Sequence, residues 1–517
     1  MRRPGEHLTW LRHLLRERNF SRKAKGNDHS SSRASKQRAK IAKAMQAPEQ
    51  MEIVNRHAGG IDCGSEEHYA AVSPESVEEG EPFVRCFSAF TEGLDALVEW
   101  LKDCGVTTVA MESTGVYWVA LYQKLEAAGI EVFLVNARHL RHVPGRKTDV
   151  KDCQWIQQLH SFGLLSASFR PEDMICRLRS LQRHRLNLVS AGAAEIQHMQ
   201  KALQQMNLHL HHVVSDISGL SGLRIIEAIL AGQRDPSQLA KLRDPRVRKS
   251  TVAQMEAALV GDYRPEHLFV LDQSLQAYRF YQARIEECDH EIEPLLQQLA
   301  ERFECSSSPL AAESSQPEVI QDQAAQSQTA RPIKPKRKRK PKANQPKIDL
   351  AGYLQRICGV DLTQVVGLDV LSVLLIVSEI GVDMSKWRNA KAFCSWLGLC
   401  PGNKISGGKV LDRRTCKVIN RVATTLRLAA QAVGRSNTCL GIFYRRKKAH
   451  LGPAKATTAT ARKLACLVYH LLKYKDQYRE PDPVTYQLKV QKTILNKLQK
   501  QAAALGYQLL PTALVPA

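Results

Sequence analysis

The chain has 13 cysteines, yet no two of them stand in a CxxC spacing. That argues against a zinc knuckle or a disulfide framework, and the scattered residues read as thiols of a reducing compartment. No apolar run is long enough to cross a membrane. The most apolar stretch, Val370 to Ser378, is nine residues between Asp369 and Glu379, where a spanning helix needs about 20. A signal-peptide core is also missing, because Arg12, Arg16, Glu17 and Arg18 interrupt the apolar stretches of the N-terminus. Neither a GxxxxGK[ST] phosphate loop nor a GxGxxG dinucleotide turn occurs. From these absences the expected location is the cytoplasm or nucleoid of a bacterium, and the chain carries no phosphate loop of the kind that would announce ATP as a substrate.

What is present is positive charge, unevenly distributed. The 517 residues, enough for about three or four units, are 44% hydrophobic and 24% charged, so most of the chain can fold. Lys and Arg exceed Asp and Glu by 74 − 51 = +23. Such an excess calls for an anionic partner, above all nucleic acid, and says nothing about fold. Residues 58–172 run against it, with nine Lys/Arg and 17 Asp/Glu, a net of −8. The rest therefore carries 23 + 8 = +31. An acidic island in a basic protein fits a metal-binding centre served by basic parts that hold nucleic acid, although a plain acidic surface would count the same way.

Composition and periodicity divide the chain into six segments. Residues 1–57 are a basic N-terminal extension. Residues 58–172 read as three extended segments, "AGGIDCG", "HYAAV" and "PFVRCF", followed by helix and strand in alternation. That pattern predicts a mixed sheet flanked by helices. Its first helix, "TEGLDALVEWLKDCG", puts Leu94, Leu97, Val98 and Leu101 on one face and offers Thr91 as a cap. Residues 173–303 predict two long helices in an antiparallel coiled coil, joined by an insertion over 231–266. On the first of them Arg177, Arg179, Arg183 and Arg185 could meet phosphates. Residues 304–347 are a low-complexity linker ending in a basic, proline-rich run that includes Lys336, Arg337, Lys338, Arg339 and Lys340. This run is a candidate nucleic-acid contact. Residues 348–480 form a second, mainly helical unit. Its helix, glycine turn and helix around Gly367 loosely match a hairpin that binds DNA backbone, with Asp369 at the usual second glycine position. Residues 481–517 are a basic helical tail.

Four acids in the first folded unit stand where chemistry could use them. Asp62 follows the first strand, Glu112 ends the fourth, and Asp149 and Asp152 open a helix at i,i+3 spacing that puts both on one face. Carboxylates from two strand ends and a helix can converge on two divalent ions. Mg²⁺ suits such a set of oxygen donors, with Mn²⁺ an alternative. Each acid alone could equally be a turn former or a helix cap.

The motifs "GIDCG" (60–64), "MESTGVYW" (111–118), "GRKTDVKDCQWIQQL" (145–159) and "FCSWLGLCPGNKISGGK" (393–409) together resemble the IS110-type insertion-sequence transposases, the DEDD recombinases. The resemblance covers roughly 58–172 and 350–475, with the coil in outline. It implies a RuvC-like domain of the ribonuclease H fold followed by a transposase domain. It further implies that Asp62, Glu112, Asp149 and Asp152 are the catalytic, metal-binding tetrad. Ser406 matches the serine thought to attack a DNA phosphate and hold the strand covalently in a composite site, and Lys409 of the same motif is a candidate nucleic-acid contact. The partners implied are duplex DNA at element ends and target, a structured guide RNA, and further copies of the chain in a dimer or tetramer. The segment "RRTCKVINRVATTLRLAAQA" departs from the family: Lys417, Asn420, Arg421 and Arg427 remain in outline, but a glycine does not. Two other readings stay open, a metal-dependent, structure-specific nuclease that uses water, and a nucleic-acid-binding protein without catalysis.

Overall fold

A computed structural model describes residues 52–113, 115–136, 149–246, 249–305, 344–407, 409–412, 414–415 and 420–509. Residues 1–51 of the basic extension and 306–343 of the linker lie outside the described residues. So do Lys336, Arg337, Lys338, Arg339 and Lys340, Gly408 and Lys417. The chain falls into two compact units, residues 1–169 and 170–517. No helix among the described residues is long and apolar enough to cross a membrane.

The first unit is mixed α/β. Its elements are β1 (Ala58–Cys63), β2 (Glu67–Ala71), β3 (Val84–Ser88), α1 (Thr91–Asp103), β4 (Thr108–Glu112), α2 (Trp118–Ala127), β5 (Glu131–Val135) and α3 (Asp149–Ser161). They form one sheet of order β3-β2-β1-β4-β5. The short link between β1 and β2 allows only an antiparallel turn back, and β2 pairs antiparallel with β3. β4 and β5 are reached through α1 and α2, and both pairings, β1 with β4 and β4 with β5, are parallel. A parallel return needs such a crossover.

Alternation along the strands sorts the two faces of the sheet. Ile61, Val109 and Met111 point into a core shared with Leu94, Leu97, Val98 and Leu101 of α1 and Leu121 and Leu125 of α2. The four α1 residues are those the helical spacing predicts. Thr91 is not the cap, however. It is the first helical residue, and Phe90 occupies the cap position without a side-chain bond. The opposite face carries Gly60 and Ala110 and receives α3. Gly60 makes that possible: a Cβ there would collide with the backbone N of Gln157 and O of Cys153. His160 fastens the far end of α3, 2.9 Å from Thr108 Oγ1 and with its ring packed at a tilt against Phe133. Burial lowers the His160 pKa from its ordinary value to about 4, so the ring is held neutral.

In the second unit two long helices, α4 (Asp173–Gln205) and α9 (Pro265–Cys305), lie along each other. Ion pairs Glu172–Arg302 and Arg185–Asp289 run in opposite chain directions and fix the pair as antiparallel. The connection is longer than the sequence indicates. Asn207 takes a left-handed φ of 58° and ends the first helix there. Four short helices follow: α5 (Leu210–Val213), α6 (Leu220–Leu230), α7 (Pro236–Lys241) and α8 (Val252–Ala258). They enclose a core of Leu208, Ile225, Ile229, Leu239 and Leu259 against Met199 and Leu271. So 210–230 belongs with the insertion foreseen only from 231.

The remainder of the unit is α10 (Leu350–Cys358), α11 (Val370–Ile380), α12 (Ala390–Trp396), the hairpin β6 (Lys404–Ser406) and β7 (Lys409–Asp412), then α13 (Arg421–Val433), α14 (Cys439–Leu451), α15 (Pro453–Tyr474) and α16 (Pro483–Ala504). Asp369, the residue that departs from the DNA-hairpin pattern, caps α11 by accepting from Ser372 N at 2.8 Å. Val373, Leu374, Ile376 and Val377 of that helix are buried, so one face of α11 packs into the core.

Candidate active site

The face of the sheet that holds α3 also gathers the acids. Asp62 is two residues beyond Gly60 on β1 and shares its face. Ile61 pairs in register with Met111, so the next residue on each strand, Asp62 and Glu112, are neighbours on that same face. Because α3 is seated by Gly60, its first turn lies over this end of the sheet. Asp62, Asp149 and Asp152 each offer a carboxylate oxygen, and the three oxygens lie within 4.8 Å of one another. Asp149 is exposed and the other two are half-buried, so the group is open to substrate.

Glu112 is not one of these three, but its charge and that of Asp62 are felt by the same thiol. Burial first, then the charges of Asp62 and Glu112, push the Cys63 thiol up to about 12. The Cys153 thiol is likewise pushed up to about 12, by burial first, with Asp62 and Asp152 adding to it. Glu67 also sits nearby, a residue that no motif of the sequence singles out. It accepts from Tyr69 Oη at 3.1 Å and from Cys86 Sγ at 3.2 Å, and the Asp149 charge reaches the same Cys86 thiol. Clustered carboxylates repel one another unless a cation is shared among them. All-oxygen donors suit a hard divalent ion, so the chemistry of the set fits the ion the tetrad implies.

Ser406 belongs to the second unit. It ends β6, pairs in register with Lys409 across the hairpin, and is exposed. Gly407 turns the chain with a φ of 54°, a conformation a side chain disfavours, and a Cβ there would meet nothing within 4 Å. The hairpin therefore presents the hydroxyl at an open tip. Among the described residues no hydrogen bond to this hydroxyl is formed, and an unassisted hydroxyl is a weak nucleophile.

The arginines of α4 divide. Arg177 is exposed. Arg183 makes a two-pronged bond to the Glu379 carboxylate at 2.8 and 2.7 Å, and Arg179 donates to the Glu379 backbone O at 2.6 Å. Arg185 is buried against Asp289 and the Asn344 carbonyl. Three of the four guanidinium groups thus hold the second unit together, whatever else they touch.

A different basic stretch of the second unit has no acidic counter-charge in its sequence. From Arg413 to Lys475 there are 15 Lys/Arg and not one Asp or Glu. Within it, Lys447 of α14 and Lys463 of α15 lie over the same Phe443 ring, at 5.8 and 4.5 Å. Burial first, then the neighbouring charges of Arg446 and Lys447, lower the Lys463 pKa. Arg446, Lys447 and Lys463 form no ion pair with a carboxylate among the described residues. The missing acids were the readable signal, more telling than any local run of lysine.

Comparison with known proteins follows the same division. A DEDD-type IS110 transposase model matches residues 59–208, which contain all four acids. A model of the IS116/IS110/IS902 transposase family matches residues 361–445, which contain Ser406. No curated protein matches the chain. With both domain models matched in order along one polypeptide, the chain belongs to the IS110 family of DNA transposases.

Proposed function

We propose that this transposase excises and inserts its element by strand exchange through a covalent serine–DNA linkage, with a first unit of the RuvC-like ribonuclease H type. The observation that carries the reading is the convergence of Asp62, Asp149 and Asp152. The strand order β3-β2-β1-β4-β5, with three antiparallel strands first and parallel strands beyond, supports the fold assignment. Glu112, beside Asp62 on the neighbouring strand, completes the tetrad.

Mg²⁺ or Mn²⁺ held by these carboxylates would polarise the scissile phosphodiester and favour departure of its oxygen. The residues of the chain do the rest. Ser406 Oγ attacks the phosphorus, so an O–P bond to serine forms and one P–O bond to deoxyribose breaks. The serine proton leaves to a base, and the released deoxyribose oxygen takes up a proton. The serine ester retains the energy of the phosphodiester, so a hydroxyl from another strand can displace Ser406 and reseal the DNA without ATP. Lys409 and the cations around Phe443 are suited to neutralise phosphates.

Trapping tests the reading. Element-end DNA incubated with the protein and Mg²⁺, then digested, should leave a nucleotide adduct on the peptide that contains Ser406. Cleavage without any adduct would favour the nuclease, and an adduct on another hydroxyl such as Thr415 would displace Ser406. Guide RNA is part of the same proposal, and sequencing the RNA and DNA that copurify tests it.

A further inference from the structure

The last helix among the described residues, α16, contains no buried residue, although it is 22 residues long. Its N-terminus is well anchored. Asp482 caps it by accepting from Thr485 N at 3.0 Å, and Cys439 of α14 donates to the Pro481 carbonyl. Thr485, Tyr486 and Val490 are half-buried there, whereas every residue from Gln491 to Gln501 is exposed. Among the described residues nothing covers the helix once it leaves its base.

Its exposed face is not random. Val484, Leu488, Gln491, Leu495, Leu498 and Ala502 recur at alternating steps of four and three residues. That is the repeat that closes one helix onto another as a left-handed coil. Val484, Leu488, Leu495 and Leu498 are 43–60% exposed. The same unit shows what a covered seam looks like: on α9, Leu271, Leu275, Ile285, Ile292 and Leu299 stand at spacings of the same seven-residue repeat and are all buried.

From this we infer that α16 is an association helix whose partner is α16 of a second copy of this chain, in parallel and in register. Two features select that partner. First, the positions flanking the seam are Thr485, Gln487, Lys492, Ile494, Gln499 and Gln501, a single charge in six, while Lys489, Lys497 and Lys500 point away from it. Like helices can therefore approach without facing rows of lysine. Second, Gln491 interrupts the apolar seam. In a parallel, in-register pair it meets the partner's Gln491, and each amide N–H can donate to the other's carbonyl. In an antiparallel pair, or in the apolar layer of a membrane surface, that amide would be left without a partner, which is costly. A single polar residue of this kind sets register and orientation in coils.

The test uses the full chain. Gln491→Cys should give an inter-chain cross-link under mild oxidation or with a short bis-maleimide, above the background of the wild-type cysteines. Adding Leu488→Asp and Leu495→Asp should abolish the extra cross-link and lower the mass measured by sedimentation, while the circular dichroism and melting of the remainder stay the same. Failure of Gln491→Cys to raise cross-linking above background overturns the inference, as does cross-linking that survives the two Asp substitutions. Binding of the wild-type chain to anionic vesicles that is lost in the Leu488→Asp, Leu495→Asp variant, with no cross-link, would assign the stripe to a lipid surface instead.

Discussion

Asp62 carries the largest share of the proposed chemistry because it stands between the helix acids and Glu112. Asp62→Asn keeps its shape and removes the charge. Removing a group that merely orients a metal ligand typically costs about 10–100-fold, so losing a direct ligand should reduce Mn²⁺ affinity and strand joining by at least about 100-fold. Calorimetric titration with Mn²⁺, run beside a strand-joining assay, reads both. Unchanged affinity would remove Asp62 from the metal set. His160 acts on the same unit through folding. Its folded pKa, about 4, lies below the ordinary 6.5, so the unfolded chain binds the proton more readily. Its stabilising effect is whole above about pH 6.5 and falls away as pH drops toward 4, by up to about 3 kcal/mol. Burial lowers the His68 pKa as well, in the same direction. Melting curves between pH 7 and 4 should show the loss, and His160→Gln should flatten part of it.

Among the elements, α3 depends on a missing side chain. Gly60→Ala sets a methyl against the helix backbone at Gln157 and Cys153, a clash that should cost about 1–3 kcal/mol. It should also weaken Mn²⁺ binding, since Asp149 and Asp152 ride on that helix. Urea unfolding and Mn²⁺ titration of the variant measure the two effects. Intact ion binding would mean that α3 can shift without moving its acids. On α14 and α15 the cations around Phe443 lack carboxylate partners among the described residues, so Arg446→Glu with Lys447→Glu should lower DNA affinity. The slope of log affinity against log salt should also become shallower, by about one for each phosphate no longer neutralised. Filter binding at several salt concentrations tests this. A parallel slope would put the DNA elsewhere.

For the whole molecule the governing quantity is the imbalance between a −8 first region and +31 in the remainder. Affinity for DNA should fall steeply with salt through counterion release, and a flat response would rule out the basic-surface account. Ser406→Ala, at an exposed hairpin tip, should leave binding and melting temperature as they are and abolish the covalent adduct. Much of this is legible in the chain alone. Strand order of appearance, the buried face of α1 and the opening of α3 at Asp149 follow from periodicity, because local alternation is set by the chain itself. Family membership followed from four short motifs, since residues fixed by chemistry keep their spacing.

Tertiary structure decided what depends on partners distant in sequence. That Arg179 and Arg183 grip Glu379, nearly two hundred residues away, could not be read from an arginine-rich helix, because a guanidinium serves phosphate or carboxylate equally well. Nor could periodicity tell a covered seam from an open one: α9 and α16 carry the same repeat, and only packing shows that one is buried within the chain and the other is not. The sequence determined which carboxylates could act together. The close approach of α3 to Gly60 decided that three of them do meet, because a helix can lie against a strand only where no side chain stands between them.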